Sequence, residues 1–493
     1  MKNLKQRAVR GGLAKMCAQA SAFLLRLGSL MILARLLDPK DFGLVGMVTA
    51  VLGIFNVFRD FGLSAATVQR RAVAEEQIST LFWINLLFGA LLALITLAIA
   101  PAIAKFYHEP RLFAVTAALA IGFLFNSAGA QHSALLERRM RFITLSLIDV
   151  ASLLTSTAVG IGMAIHGYGY WALVATTIVP PLAYTVCVWL ATGWVPGRPH
   201  KQAGIRSMIR FGGTLSLSGL VMYIASNFEK VLLGRFLGAD VTGIYGRAYQ
   251  LINIPTENLN SSAGEVAFAA LSRVQDEPGR VRSYFLKGYS LVLSLTVPIT
   301  FACALFADDI IFVCLGPKWK AAVAIFRLLA PTALAYAILN PLAWLLSSLG
   351  LVARNLKIVL TLAPVMITSY LLGLPYGPKG VAFAYSAVMM LCAIPLIAWT
   401  VHGTAVSTLD ILTVVSRPLL CGIVSAGLTG GLQLAYGPLM SPLPRLVISV
   451  MLILGTYLAM LLFVMGQKLF YLNILRSFVG SSAVDREVLE SAY

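Results

Sequence analysis

Apolar runs long enough to cross a bilayer recur from one end of the chain to the other, and that recurrence dictates the class of fold. A spanning helix needs about 20 mostly apolar residues to cross ~30 Å of hydrocarbon. Such runs lie near 12–36, 41–62, 80–103, 112–131, 143–165 and 169–192, then near 208–236, 241–262, 286–307, 323–346, 352–372 and 379–400. A final pair lies near 411–434 and 446–466, giving about 14 spans. Only 12% of the 493 residues are charged, against about 25% in a soluble domain. The chain therefore lacks the polar surface that water requires, and the expected class is an all-α polytopic membrane protein.

The net charge of +18 follows topology. Of the 38 Lys and Arg, 24 fall in one alternate set of loops and tails, among them Arg10, Arg70, Arg138, Arg206, Arg282, Lys287, Arg354 and Arg417. Another 11 fall in the opposite set. Cationic loops stay in the cytoplasm, so both termini are expected there. A nucleic-acid binder would instead gather its charge on a solvated domain, and none is present, so no nucleic-acid partner is expected.

The stretch LARLLDPKDFGLVG from Leu33 returns 200 positions later as LGRFLGADVTGIYG from Leu233. Leu33, Arg35, Leu37, Gly43 and Gly46 match Leu233, Arg235, Leu237, Gly243 and Gly246, and Arg10 and Gly12 match Arg210 and Gly212. A second echo pairs HGYGYWALV from His166 with GPKGVAFAY from Gly377. Six spans separate the matching stretches, so the halves have the same topology. Parallel repeats of this kind are related by an axis along the membrane normal, with the substrate path between them. The expected organisation is an N-terminal lobe at 1–207 (spans 1–6), a C-terminal lobe at 208–402 (spans 7–12), two further spans at 403–466 and a cytoplasmic tail at 467–493.

The six cysteines form no CxxC pair and the five histidines are dispersed, so neither a disulfide framework nor a metal site is expected. There is no GxxxxGK[ST] phosphate loop, and no connection is long enough for a catalytic domain. The chain is expected to be a transporter without enzymatic activity or a cofactor.

Several segments resemble the polysaccharide transporter family, the Wzx-type flippases of the multidrug/oligosaccharidyl-lipid/polysaccharide (MOP) superfamily. They are ARLLDPKDFGLVGMV from Ala34, FRDFGLSAATVQR from Phe58, STLFWINLLFG from Ser79, LLGRFLGADVTGIYGRAYQLINIP from Leu232, FAALSRVQDEPGRVRSYF from Phe268 and LGPKWKAAVAIFRLLAP from Leu315. The similarity covers roughly residues 10–400 and is greatest toward the exopolysaccharide and colanic-acid exporters. The chain departs from the family pattern at SLGLVARN, where the basic residue is delayed to Arg354, and at NFEK, where Glu229 replaces a more usual Asp. The resemblance implies a MATE-like fold in the bacterial inner membrane. It also implies translocation of undecaprenyl-pyrophosphate-linked oligosaccharide from the cytoplasmic to the periplasmic leaflet. The implied partners are the lipid-linked oligosaccharide, membrane lipids, a polysaccharide polymerase and export machinery. The alternative within the superfamily is a multidrug/cation antiporter, which calls for an acidic, aromatic pocket.

Three basic residues belong to neither loop set: Arg26, Arg59 and Lys230. A charge at the bilayer centre costs about 2.5–3.5 kcal/mol on insertion scales and so faces a cavity or a partner. Gln19, Ala22, Arg26 and Ser29 form a stripe at helical spacing in span one, as do Gly219, Tyr223, Ser226 and Lys230 in span seven. The 200-residue offset sets Arg26 against Ser226 and Ser29 against Glu229, so both stripes are expected to line one cleft. Arg matches phosphate oxygens with a fork of donors, which nominates Arg26 for the pyrophosphate, assisted by Lys230 and Arg59. The competing readings are snorkelling to an interface or pairing with a neighbouring acid, Glu229 for Lys230 and Asp60 for Arg59. Span eight carries a polar face of Asn253, Glu257, Asn260 or Ser261, and Gly264. Glu257, with Asp60 second, is the candidate carboxylate for a coupling H⁺ or Na⁺; a packing role beside Pro255 is the alternative. Asp308, Asp309 and the GPKWK segment are expected to be solvated loop charges, and DEPGRVRSYF an amphipathic link before span nine.

Overall fold

In a computed structural model of the chain the described residues are 2–58, 67, 74–199, 206–437 and 440–467, with their side chains except at 2–18, 57, 58, 206–219, 255–262, 265, 266, 269 and 436. The regular elements described are all helical. They are α1 (Lys2–Leu36), α2 (Pro39–Phe58), α3 (Glu75–Tyr107), α4 (Arg111–Arg138), α5 (Phe142–Ile165), α6 (Tyr170–Thr192), α7 (Arg206–Ser272), α8 (Pro278–Leu305), α9 (Ala307–Cys314), α10 (Ala322–Ser348), α11 (Val352–Gly373), α12 (Gly377–Val401), α13 (Thr408–Tyr436) and α14 (Pro442–Ala459). A π-turn over Met460–Val464 extends α14. Helices are the outcome because hydrocarbon offers no partners for backbone amides, so each span must satisfy its own.

The 67 residues of α7 are two spans, not one. At Gly238 the backbone turns to φ 84°, ψ −177°, a conformation that glycine adopts without steric cost. The break falls 200 residues after Asp38, which separates α1 from α2. With α7 divided there and the eight-residue α9 set aside, the described residues hold fourteen helical segments of spanning length, as the apolar runs predict. Large apolar side chains point outward: Leu190 is 79% exposed and Leu391 75%. On a soluble protein such a surface would aggregate, whereas lipid tails are as apolar as leucine.

Two compact units emerge from the packing. One comprises 1–250 with 314–325 and 356–385; the other comprises 251–313, 326–355 and 386–493. In the first, the repeated hairpins meet each other. A Cβ on Gly43 would collide with the Ala239 carbonyl, and a Cβ on Gly243 with the Pro39 carbonyl. Ala239 is the counterpart of Pro39, so each repeat offers the other the same surface, as in a two-fold contact. Nearby, Trp319 is fully buried and donates from Nε1 to the Ala34 carbonyl at 2.8 Å, while Lys318 pairs with Asp38 at 2.8 Å. The GPKWK segment is therefore a packed anchor, not a solvated loop.

The second unit has its core on α8, α10 and α13, with Val281, Phe285, Tyr289 and Leu293 recurring every fourth residue. That spacing corrects the boundary expected for span nine. The RVRSYF stretch is the first two turns of α8, opened by Pro278 at N1, because Val281 and Phe285 continue its buried stripe. A second correction concerns Asp309. It is 2% exposed and accepts from Arg445 Nε at 3.0 and 2.9 Å and from Gln433 at 3.4 Å, so it is a buried tie among α9, α13 and α14. Asp308, on the outside, pairs with Arg327 at 2.6 Å.

Candidate functional site

In the first unit α7 lies against α2 where side chains give way to backbone. Tyr223 fills the space that a side chain at Gly53 would occupy, and its hydroxyl donates to the Thr49 carbonyl at 3.1 Å. One turn on, Asn227 donates from Nδ2 to the Tyr223 carbonyl at 3.0 Å and accepts at Oδ1 from Lys230 Nζ at 2.7 Å. The ammonium lies 5.5 Å from the centroid of Tyr249, across the break at Gly238. Lys230 is thus held by an amide and an aromatic face, and no ion pair with Glu229 forms.

Glu229 is the anomaly. It is 0% exposed, and among the described residues neither carboxylate oxygen takes a hydrogen bond from another residue. Withdrawing an ionised carboxylate from water without donors costs many kcal/mol. A carboxyl group so placed is therefore suited to holding a proton or an incoming cation.

Arg26 is exposed on α1, ten residues before its end, about 15 Å along the axis. Helix α1 packs on α5, and the group on α5 that interacts electrostatically with Arg26 is Asp149. Among the described residues Arg26 makes no ion pair or hydrogen bond. Gln19 is exposed on the same helix, and Ala22 and Ser29 are half-buried. Asp149 escaped the list of membrane charges built above, although it lies inside the run at 143–165 and meets the criterion applied there to basic residues.

The polar face expected on span eight is carried by the second arm of α7, which is helical through Ser272. Asn253 is half-buried, and Gly264 is covered by the Trp344 indole. The side chains of Glu257 and Asn260, and residues Arg59 and Asp60 altogether, lie outside the described residues.

Solved structures share this fold. A lipid II flippase MurJ in an inward closed conformation superposes with a TM-score of 0.75 at 13% identity, covering 94% of this chain and 100% of that one. An inward-facing multidrug resistance MATE family transporter of the MOP superfamily gives 0.62 at 16%, covering 80% and 95%. The protein therefore has the fold of these two structures. Residues 32–324 match the family described as polysaccharide biosynthesis protein, and the chain belongs to that family. Similar proteins include the lipopolysaccharide biosynthesis protein WzxC of Escherichia coli (strain K12), 25% identical over 72% of this chain and 73% of the relative. The teichuronic acid biosynthesis protein TuaB of Bacillus subtilis (strain 168) is 30% identical over 58% and 60%.

Proposed function

We propose that the protein flips an undecaprenyl-pyrophosphate-linked oligosaccharide from the cytoplasmic to the periplasmic leaflet of a bacterial inner membrane by alternating access, with both termini cytoplasmic. The observation that carries this reading is Arg26, a guanidinium exposed midway along a spanning helix with no ion pair among the described residues. Hydrocarbon would penalise it heavily, which supports a wet path in which a diphosphate accepts its fork of donors. Lys230 adds a second cation. Glu229, fully buried and without a hydrogen-bond donor among the described residues, is the group through which H⁺ or Na⁺ would couple, and Glu257 is the second candidate for that role. The similarity to proteins named for lipopolysaccharide and teichuronic acid biosynthesis supports a polysaccharide precursor as cargo, delivered to a polymerase and export machinery.

Deletion in the native host tests the reading. The mutant should lose surface polysaccharide and accumulate lipid-linked units by glycolipid mass analysis, and Arg26→Ala should insert normally yet fail to restore export. Intact polysaccharide with new drug sensitivity would identify a cation antiporter, and full export by Arg26→Ala would remove that residue from the path.

A further inference from the structure

The second unit contains a pocket of about 430 Å³ at one end of the group formed by α8, α13 and α14, within the size range of small-molecule sites. Lys287 and Arg417 line it. Each stands nine residues from the start of its helix, α8 and α13, so both reach roughly 14 Å along. Both are exposed, and neither has an ion pair among the described residues. Asp410, the pocket's carboxylate, is already taken: Arg282 donates to its two oxygens at 2.8 and 2.6 Å, and the Ser407 amide donates at 3.0 Å. The remaining charge facing the cavity is therefore cationic.

A second observation narrows the ligand. After the π-turn, Gly466 has φ 66°, and Gln467 next to it lines the pocket wall. Gln467 is 9% exposed, and among the described residues its Oε1 accepts no hydrogen bond. An orphaned buried acceptor calls for a donor, which a phosphodiester cannot supply and a hydroxyl beside it can. Leu286, Val414 and Met465 give the same pocket an apolar wall.

We propose that this pocket binds the headgroup of an anionic, glycerol-headed phospholipid. Lys287 and Arg417 take the phosphodiester, Gln467 accepts from a glycerol hydroxyl, and the apolar wall receives the start of the acyl chains. Paired basic side chains between spanning helices suit anionic lipid. The proposal uses none of the residues nominated for transport.

Native mass spectrometry of the full chain, purified and exchanged with defined lipids, tests the assignment. Phosphatidylglycerol should be retained about 30-fold over phosphatidylethanolamine, from two basic contacts at the membrane surface. Lys287→Gln with Arg417→Gln should erase that preference while the helical circular dichroism stays unchanged. Gln467→Leu should keep the preference for anionic lipid but bind phosphatidic acid, which has no headgroup hydroxyl, as well as phosphatidylglycerol. Equal lipid retention by the wild type and the doubly substituted protein would overturn the proposal. So would displacement of the lipid by inorganic phosphate at matching concentration, which would mark a simple anion site.

Discussion

Asp309 and Glu229 are both withdrawn from solvent, at 2% and 0% exposure, and their surroundings differ completely. Asp309 is met by the Arg445 guanidinium and a glutamine amide. Glu229 is met by no donor from another residue. The first joins α9 to two helices more than 120 residues further along the chain, as an architectural tie does. The second gives the fold no bond, and a polypeptide keeps such a group where it is used. The contrast separates charges that hold this protein together from charges available to cargo or ions.

The largest effect that would break the comparison is expected at the tie. Asp309→Ala strands Arg445, and removing one partner of a buried pair costs about 3–5 kcal/mol. Thermal melting in detergent should fall sharply, and an unchanged midpoint would mean that the pair is merely superficial. A sharper version replaces both partners: Asp309→Leu with Arg445→Leu should recover most of the loss, because apolar substitution of a whole buried pair is often neutral. The smallest effect on melting is expected from Glu229→Gln, below about 1 kcal/mol, since no donor is orphaned by it. That variant should nonetheless slow polysaccharide export in the complemented deletion strain. If it melts as early as Asp309→Ala, the two carboxylates are alike and the distinction fails.

The spans, the Gly238 break and the duplicated hairpins were legible because each is local: a hydropathy run, a glycine, a repeated string. Asp309 was misread for the opposite reason. Its partner Arg445 lies 136 residues away, so each looks like an ordinary loop charge beside the end of a span. Trp319 was hidden similarly, since its hydrogen-bond acceptor at Ala34 is 285 residues distant. Glu229 was legible as a polar residue of the expected cleft and as a pairing partner for Lys230, yet Lys230 turns along the helix to Asn227. No pattern along the chain could place Lys287, Arg417 and Gln467 around one cavity, because they come from two helices and the segment after the π-turn, which meet only after folding.

The glycine contact between the hairpins has an ancestral reading. Pro39 and Gly43 touch Gly243 and Ala239 by a swap of identical offsets, so a chain of half this length, carrying one hairpin, could close the same joint with a twin of itself. Fusion of two such genes would turn a symmetric handshake between molecules into an internal one. From then on the two glycines would be free to drift in everything except their smallness, each enforced by the other's main chain.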